Sequence, residues 1–135
     1  DDITKHQIHS EYFELNKATA SRLNQAKEES RKIIAVGTTS VRVLESSSKP
    51  QAQSSRPRAK GFELGAGKGN TSIYIYPPYK FKFVDAMITN FHLPKSSLIL
   101  LVSAFAGTNF IKKAYQHAIK QKYGFYSFGD VMMIK

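Results

Sequence analysis

The chain has 135 residues, 41% of them apolar and 12% aromatic, which suits one globular core and excludes a disordered tail. Twenty Lys and Arg against ten Asp and Glu leave a formal charge of +10, an excess that favours polyanionic partners and nucleic acid first among them. No run reaches the roughly 18 to 20 apolar residues of a membrane span, no signal-peptide core opens the chain, and the absence of cysteine excludes disulfides and thiolate metal sites. The first residue is Asp1 rather than Met, which points to a fragment or a processed chain.

In chain order, His9–Leu15 (HSEYFEL) alternates and reads as a strand or an extended lead-in. Asn16 then offers a side-chain oxygen to the orphan N–H groups of a helix running to about Ser30, with Ala18, Ala20, Leu23 and Ala26 as its inner face. Lys32–Val36 is a short β-branched run ended by Gly37, the pattern of a buried strand. Thr38–Glu45 reads as a helix with Val41 and Leu44 inward. Serine, proline and charge punctuate residues 46–70, and that composition predicts an exposed, mobile excursion. Thr71–Tyr76 and Phe81–Ile88 read as strands separated by Pro77-Pro78. An apolar helix follows Lys95-Ser96-Ser97 and ends near Gly107. A second helix spans about Asn109 to Lys122, with Ile111, Ala114, Tyr115, Ala118 and Ile119 on one side and lysines on the other. The end, VMMI, is a short strand. Together these elements predict an α/β fold, a mixed sheet flanked by helices.

Two segments carry chemistry. A helix starting after Gly37 aims unpaired N–H groups and a positive dipole end outward, where Thr38, Thr39 and Ser40 add hydroxyls suited to a phosphate or carboxylate. The plainer alternative makes Thr38 a helix cap, and Arg42 and Glu45 a solvated pair one turn apart. The segment DAMITNFHLPKSSL brings Asp85, Thr89, Asn90 and His92 near one another in sequence, between a strand and a buried helix. A histidine there can move a proton near neutral pH and an aspartate can stabilise a cation, although a structural histidine at a turn fits the same pattern. His6, His9 and His117 lack the companion ligands of a metal site. The stretch GAGKGNTS fails as a phosphate loop. With Gly67-Lys68 in register the leading glycine position holds Phe62, and Gly69 stands where Ser or Thr would bind magnesium. It reads as a flexible turn.

The blocks HSEYFEL, IAVGTTSVRVLES, TSIYIYPPYKFKFVDAMITNFHLPKSSLILLVSAFAG and YGFYSFGDVMMI, in that order, resemble the carboxyl-terminal part of the S-adenosylmethionine:tRNA ribosyltransferase-isomerase family of queuosine biosynthesis. Two departures stand out, Pro78 in place of a usual glycine and a longer stretch at about 46–70. The resemblance implies part of a larger, multidomain, cytoplasmic enzyme that needs no metal. It implies transfer and isomerisation of the ribosyl group of S-adenosylmethionine onto 7-aminomethyl-7-deazaguanine in tRNA, giving epoxyqueuosine. On the matched blocks Asp85 is placed near the cationic centre and His92 at proton transfer. Thr38, Thr39, Ser40 and Arg42 become anchors for anionic groups, with Asn90, His9 and Glu11 also lining the pocket. The implied partners are tRNA, S-adenosylmethionine and the remaining portion of the enzyme, with no membrane. The competing reading is an inactive RNA-binding remnant whose Lys112, Lys113, Lys120, Lys122 and Arg56 to Lys60 touch phosphates.

Overall fold

The structure is a computed structural model that describes residues 2–5, 8–51 and 61–135. After a 3-10 turn at Ile3–Lys5 the order is β1 (Glu11–Leu15), α1 (Lys17–Glu28), β2 (Ile34–Val36), α2 (Thr38–Ser47), β3 (Ser48–Pro50) and β4 (Phe62–Leu64). It continues with β5 (Gly67–Thr71), β6 (Ala86–Asn90), α3 (Ser97–Ala106), α4 (Thr108–Lys120) and β7 (Val131–Ile134). The central sheet is mixed, in the order β2-β6-β7, with β2 parallel and β7 antiparallel to β6. Two antiparallel ribbons, β1-β5 and β3-β4, complete the strand pairing. The expected class, a mixed sheet with flanking helices, is the one observed.

The caps follow local chemistry. Asn16 accepts from Thr19 N at 2.8 Å and starts α1; Ser96 accepts from Ile99 N and starts α3. Gly107, at φ 91°, lies between α3 and α4, whose axes differ by 116°. A side chain there would be strained, so the glycine sets the corner. No single helix among the described residues is long and apolar enough to cross a membrane. The core gathers Val41, Leu44, Phe83, Val84, Met87, Leu101, Val102 and Ile111, with α2 packed on β2 and β6.

Several expectations need correction. Residues 46–70 carry three short strands, β3, β4 and most of β5, rather than a loop throughout. Residues 52–60, including Arg56 to Lys60, lie outside the described residues, as does His6. The glycine stretch expected as a turn is β5, held by the register Glu11↔Thr71 through Leu15↔Gly67. Conversely, only Thr71 of the Thr71–Tyr76 run is in a strand, and the next strand begins at Ala86 instead of Phe81. Glu45 explains the second difference. Its buried carboxylate accepts from Lys82 N (2.8 Å), Phe83 N (3.0 Å), Val84 N (3.0 Å) and Tyr79 Oη (2.9 Å), which commits those N–H groups to a side chain instead of a ladder. Burial and the Glu45 charge push the Tyr79 phenol well above its ordinary range. Ala18 and Ile119, expected inward, are exposed.

Candidate functional site

Val36 ends β2 beside Ile88, and Gly37 N donates to Ile88 O at 2.8 Å. Gly37 adopts φ 86° and is the residue from which α2 departs, with no side-chain cap. Thr38 therefore does not cap the helix. Its hydroxyl and the first N–H groups of α2 are left to face outward at the carboxyl end of the parallel pair, the usual place for ligands in an open α/β sheet. One strand away, β6 ends at Asn90 and runs into Phe91 and His92.

A cavity of about 370 Å³ opens between these two strand ends. Thr38, Thr39, Asn90 and His92 all line it, together with Thr89, Ser96, Tyr126 and Ser127. His92 is held at three points: by its following strand end, by Tyr115 Oη, which accepts from His92 N at 2.8 Å, and by Thr89 Oγ1, 2.9 Å from its ring Nε2. Burial holds the His92 pKa below the ordinary histidine value. The ring is thus neutral at pH 7 and able to accept a proton. Asn90 donates to Gly129 O and Asp130 O, both at 3.3 Å, and so fastens the turn that carries Tyr126 and Ser127 to the rim. That turn is further closed by Tyr126 N to Phe91 O, Asp130 N to Gly124 O and Gly124 N to Asp130 Oδ2.

The remaining predicted residues divide. A smaller cavity of about 210 Å³ adjoins the first across Leu98, and His9, Glu11 and Arg42 line it with Tyr74 and Ser97. Thr39 Oγ1 reaches Glu11 Oε1 at 3.4 Å and joins the two. Arg42 is buried, so it is no half of a solvated pair with Glu45. Its Nη1 binds Glu11 Oε2 (2.5 Å), Nη2 binds His9 O (3.2 Å) and Thr71 O (3.5 Å), and Nε binds Ile73 O (3.3 Å). With five donors on a guanidinium, four bonds to the protein leave little for an external anion. Ser40 is exposed and lines neither cavity. Asp85 is not beside His92: it sits at the opposite end of β6, about 16 Å from Asn90 at the usual strand rise. There its Oδ2 binds Lys27 Nζ and accepts from Ile33 N at 2.9 Å. It ties α1 and the start of β2 to the sheet.

Sequence reasoning missed Tyr115, Tyr126 and Tyr74. Nothing local marks Tyr115 as a partner of His92, 23 residues earlier. Tyr74 Oη is buried with no partner among the described residues, and the phenol pKa is raised mainly by burial. Among the described residues no group of three or more His, Asp and Glu side chains gathers where a metal could bind.

The lowered His92 pKa has a measurable consequence. The unfolded chain, with an ordinary histidine near 6.5, takes up the proton first as pH falls. The stability that neutral His92 allows is complete above that value and is lost as pH drops toward the folded pKa. A His92→Gln variant should show a shallower decline in denaturation midpoint as pH falls below about 6.5 than the unaltered chain. Equal slopes would mean that His92 is not desolvated.

Over residues 1–134 the chain matches the family described as queuosine biosynthesis protein. It is 51% identical over 134 residues to the S-adenosylmethionine:tRNA ribosyltransferase-isomerase of Natranaerobius thermophilus, covering 99% of this chain and 36% of that one. The enzyme of the same name from a Sulfurihydrogenibium species is 49% identical over an equal span. The crystal structure of the S-adenosylmethionine tRNA ribosyltransferase of Thermotoga maritima superposes with a TM-score of 0.76 at 42% identity, covering 92% of this chain and 40% of that one. The chain thus spans little more than a third of the length of the curated relatives it matches.

Proposed function

Because the chain belongs to the queuosine biosynthesis protein family, we propose that it supplies one wall of a ribosyl-transfer site acting on S-adenosylmethionine and tRNA. The reading rests on one observation: Thr38 and Thr39 from the first chemical block and Asn90 and His92 from the second line a single cavity. Its volume of about 370 Å³ falls at the lower end of the range for small-molecule sites, roughly 300 to 1,000 Å³. The proposed activity is transfer and isomerisation of the donor's ribosyl group onto 7-aminomethyl-7-deazaguanine in tRNA, giving epoxyqueuosine with release of adenine and methionine, in the cytoplasm.

In this proposal the amino end of α2, with Thr38 and Thr39, holds an anionic group of the donor, since N–H groups and the helix dipole both favour negative charge there. His92, neutral and oriented by Thr89 and Tyr115, moves the proton that accompanies departure of adenine. Arg42 shapes the adjoining cavity by holding β1, β5 and Ile73 together, and Glu11 places a carboxylate at its edge. Asp85, bound to Lys27 and Ile33 N at the other end of β6, is given no chemical role in this proposal.

The test uses this chain joined to the amino-terminal remainder of the Natranaerobius relative, so that a protein of family length is assayed. His92→Ala should cut adenine release from S-adenosylmethionine about 100-fold or more, the usual contribution of a positioned proton-transfer group, with tRNA binding retained. Unchanged release would remove His92 from the mechanism. The exposed lysines of α4 favour the second reading, RNA binding without catalysis. Salt-sensitive tRNA binding with no adenine from the unaltered joined protein would select it.

A further inference from the structure

Among the described residues one face of the central sheet is largely open, with Ala86 the buried residue on it. Register places Ile34 opposite Ala86, Ile88 between Val36 and Met133, and Val131 opposite Asn90, so these side chains share a face. The alternate residues, Ala35, Met87, Thr89 and Ile134, are buried toward the core. On the open face Val36 is 66% exposed, Val131 60%, Met133 51% and Ile34 47%. A sheet containing a parallel pair is ordinarily covered on both sides, because its strands have no polar face to give to water. Four large apolar side chains, two on β2 and two on β7 with half-buried Ile88 of β6 between the strands, are not scattered surface residues but one contiguous patch.

We infer that this face is the docking surface for the part of the family polypeptide that the chain does not span. The relatives carry nearly two thirds of their length outside the matched region, enough to furnish a covering layer. A second copy of this chain fits less well. Lys32 and Lys135 follow the same alternation at one end of the patch, so face-to-face copies would bring like charges together, each on a body of formal charge +10. The patch also has a functional edge. Val36 runs into Gly37, and Val131 pairs with Asn90; Gly37 and Asn90 both line the larger cavity. A layer seated on Val36 and Val131 therefore borders that cavity and closes it on the side this chain leaves open. The inference rests on family membership and on the sheet, not on the chemistry assigned to His92.

Val36→Lys and Met133→Lys test it in two contexts. In the isolated chain both side chains already face water, and the thermal midpoint should stay within about 1 °C, as for ordinary surface changes. In the joined, family-length protein each lysine would be driven into an apolar contact, and the midpoint should fall by about 5 °C. Amide exchange at residues 34–36 and 131–134 should be slower in the joined protein than in the isolated chain. Equal midpoints and equal exchange in the joined protein would overturn the proposal. So would an isolated chain that sediments as a dimer dissociated by Val36→Lys. Loss of adenine release by His92→Ala without these changes would leave the chemistry standing and remove the docking surface.

Discussion

Glu45→Ala should unfold this chain or bring it close to unfolding. The carboxylate is 1% exposed and is the acceptor for three consecutive backbone N–H groups and one phenol. Alanine has no oxygen to offer. Each buried donor left without an acceptor costs roughly 1 to 3 kcal/mol, so four of them, partly relieved by entering water, amount to about 5 kcal/mol. A domain of this size has a total stability of about 5 to 15 kcal/mol, and the change is therefore of the same order as the whole. The packing behind it is also at stake, since the held segment presents Phe83 and Val84, both almost wholly buried, to the core. Chemical denaturation followed by circular dichroism is the measurement. Glu45→Gln keeps one acceptor oxygen but turns an NH₂ toward donors, so it should fall between the two. A loss below about 1 kcal/mol for Glu45→Ala would show that the 79–84 segment stands without its carboxylate.

Arg42→Ala should have the next largest effect, and the reason is not chiefly the ion pair. Glu11 is 37% exposed at its side chain, and water screens a pair of that kind to under about 1 kcal/mol. The greater loss lies in the backbone carbonyls of His9, Thr71 and Ile73, which come from two segments about 60 residues apart and lose a common charged donor. We expect a destabilisation of about 3 kcal/mol, concentrated in the β1-β5 ribbon. Arg42→Lys should recover only part of it, because one ammonium cannot bridge three carbonyls and a carboxylate in fork geometry. Full recovery by lysine in a denaturation series would mean that charge alone accounts for the site. Hydrogen exchange should report faster opening of residues 67–71 before the rest of the chain.

These two residues mark the limit of what local pattern discloses. The signals that lie within four residues of their effect were legible: Asn16 starting α1, Ser96 starting α3, the glycine before Thr38, and the apolar faces of α2, α3 and most of α4. The convergence of Thr38, Thr39, Asn90 and His92 also had a sequence trace, in the two polar blocks that follow apolar runs and end adjacent parallel strands. Ile119 and Ala18 deviate because a stripe predicted from period alone is wider than the surface a neighbour in fact covers.

By itself the sequence determined the class of fold, the helix ends and the family, because caps, periodicity and block order are properties of neighbours along the chain. Only the tertiary structure decided which charged residues line the cavities and which tie scaffold elements together. Glu45 and Asp85 find their partners 34 to 39 and 52 to 58 positions away, and no spacing rule reaches that far. The same holds for strands. Gly67–Thr71 has little intrinsic preference for extended structure yet pairs fully with β1, whereas Ile73–Tyr76, rich in strand-forming residues, joins no ladder among the described residues. Strand formation depends on an available edge, and edges are supplied by residues distant in sequence.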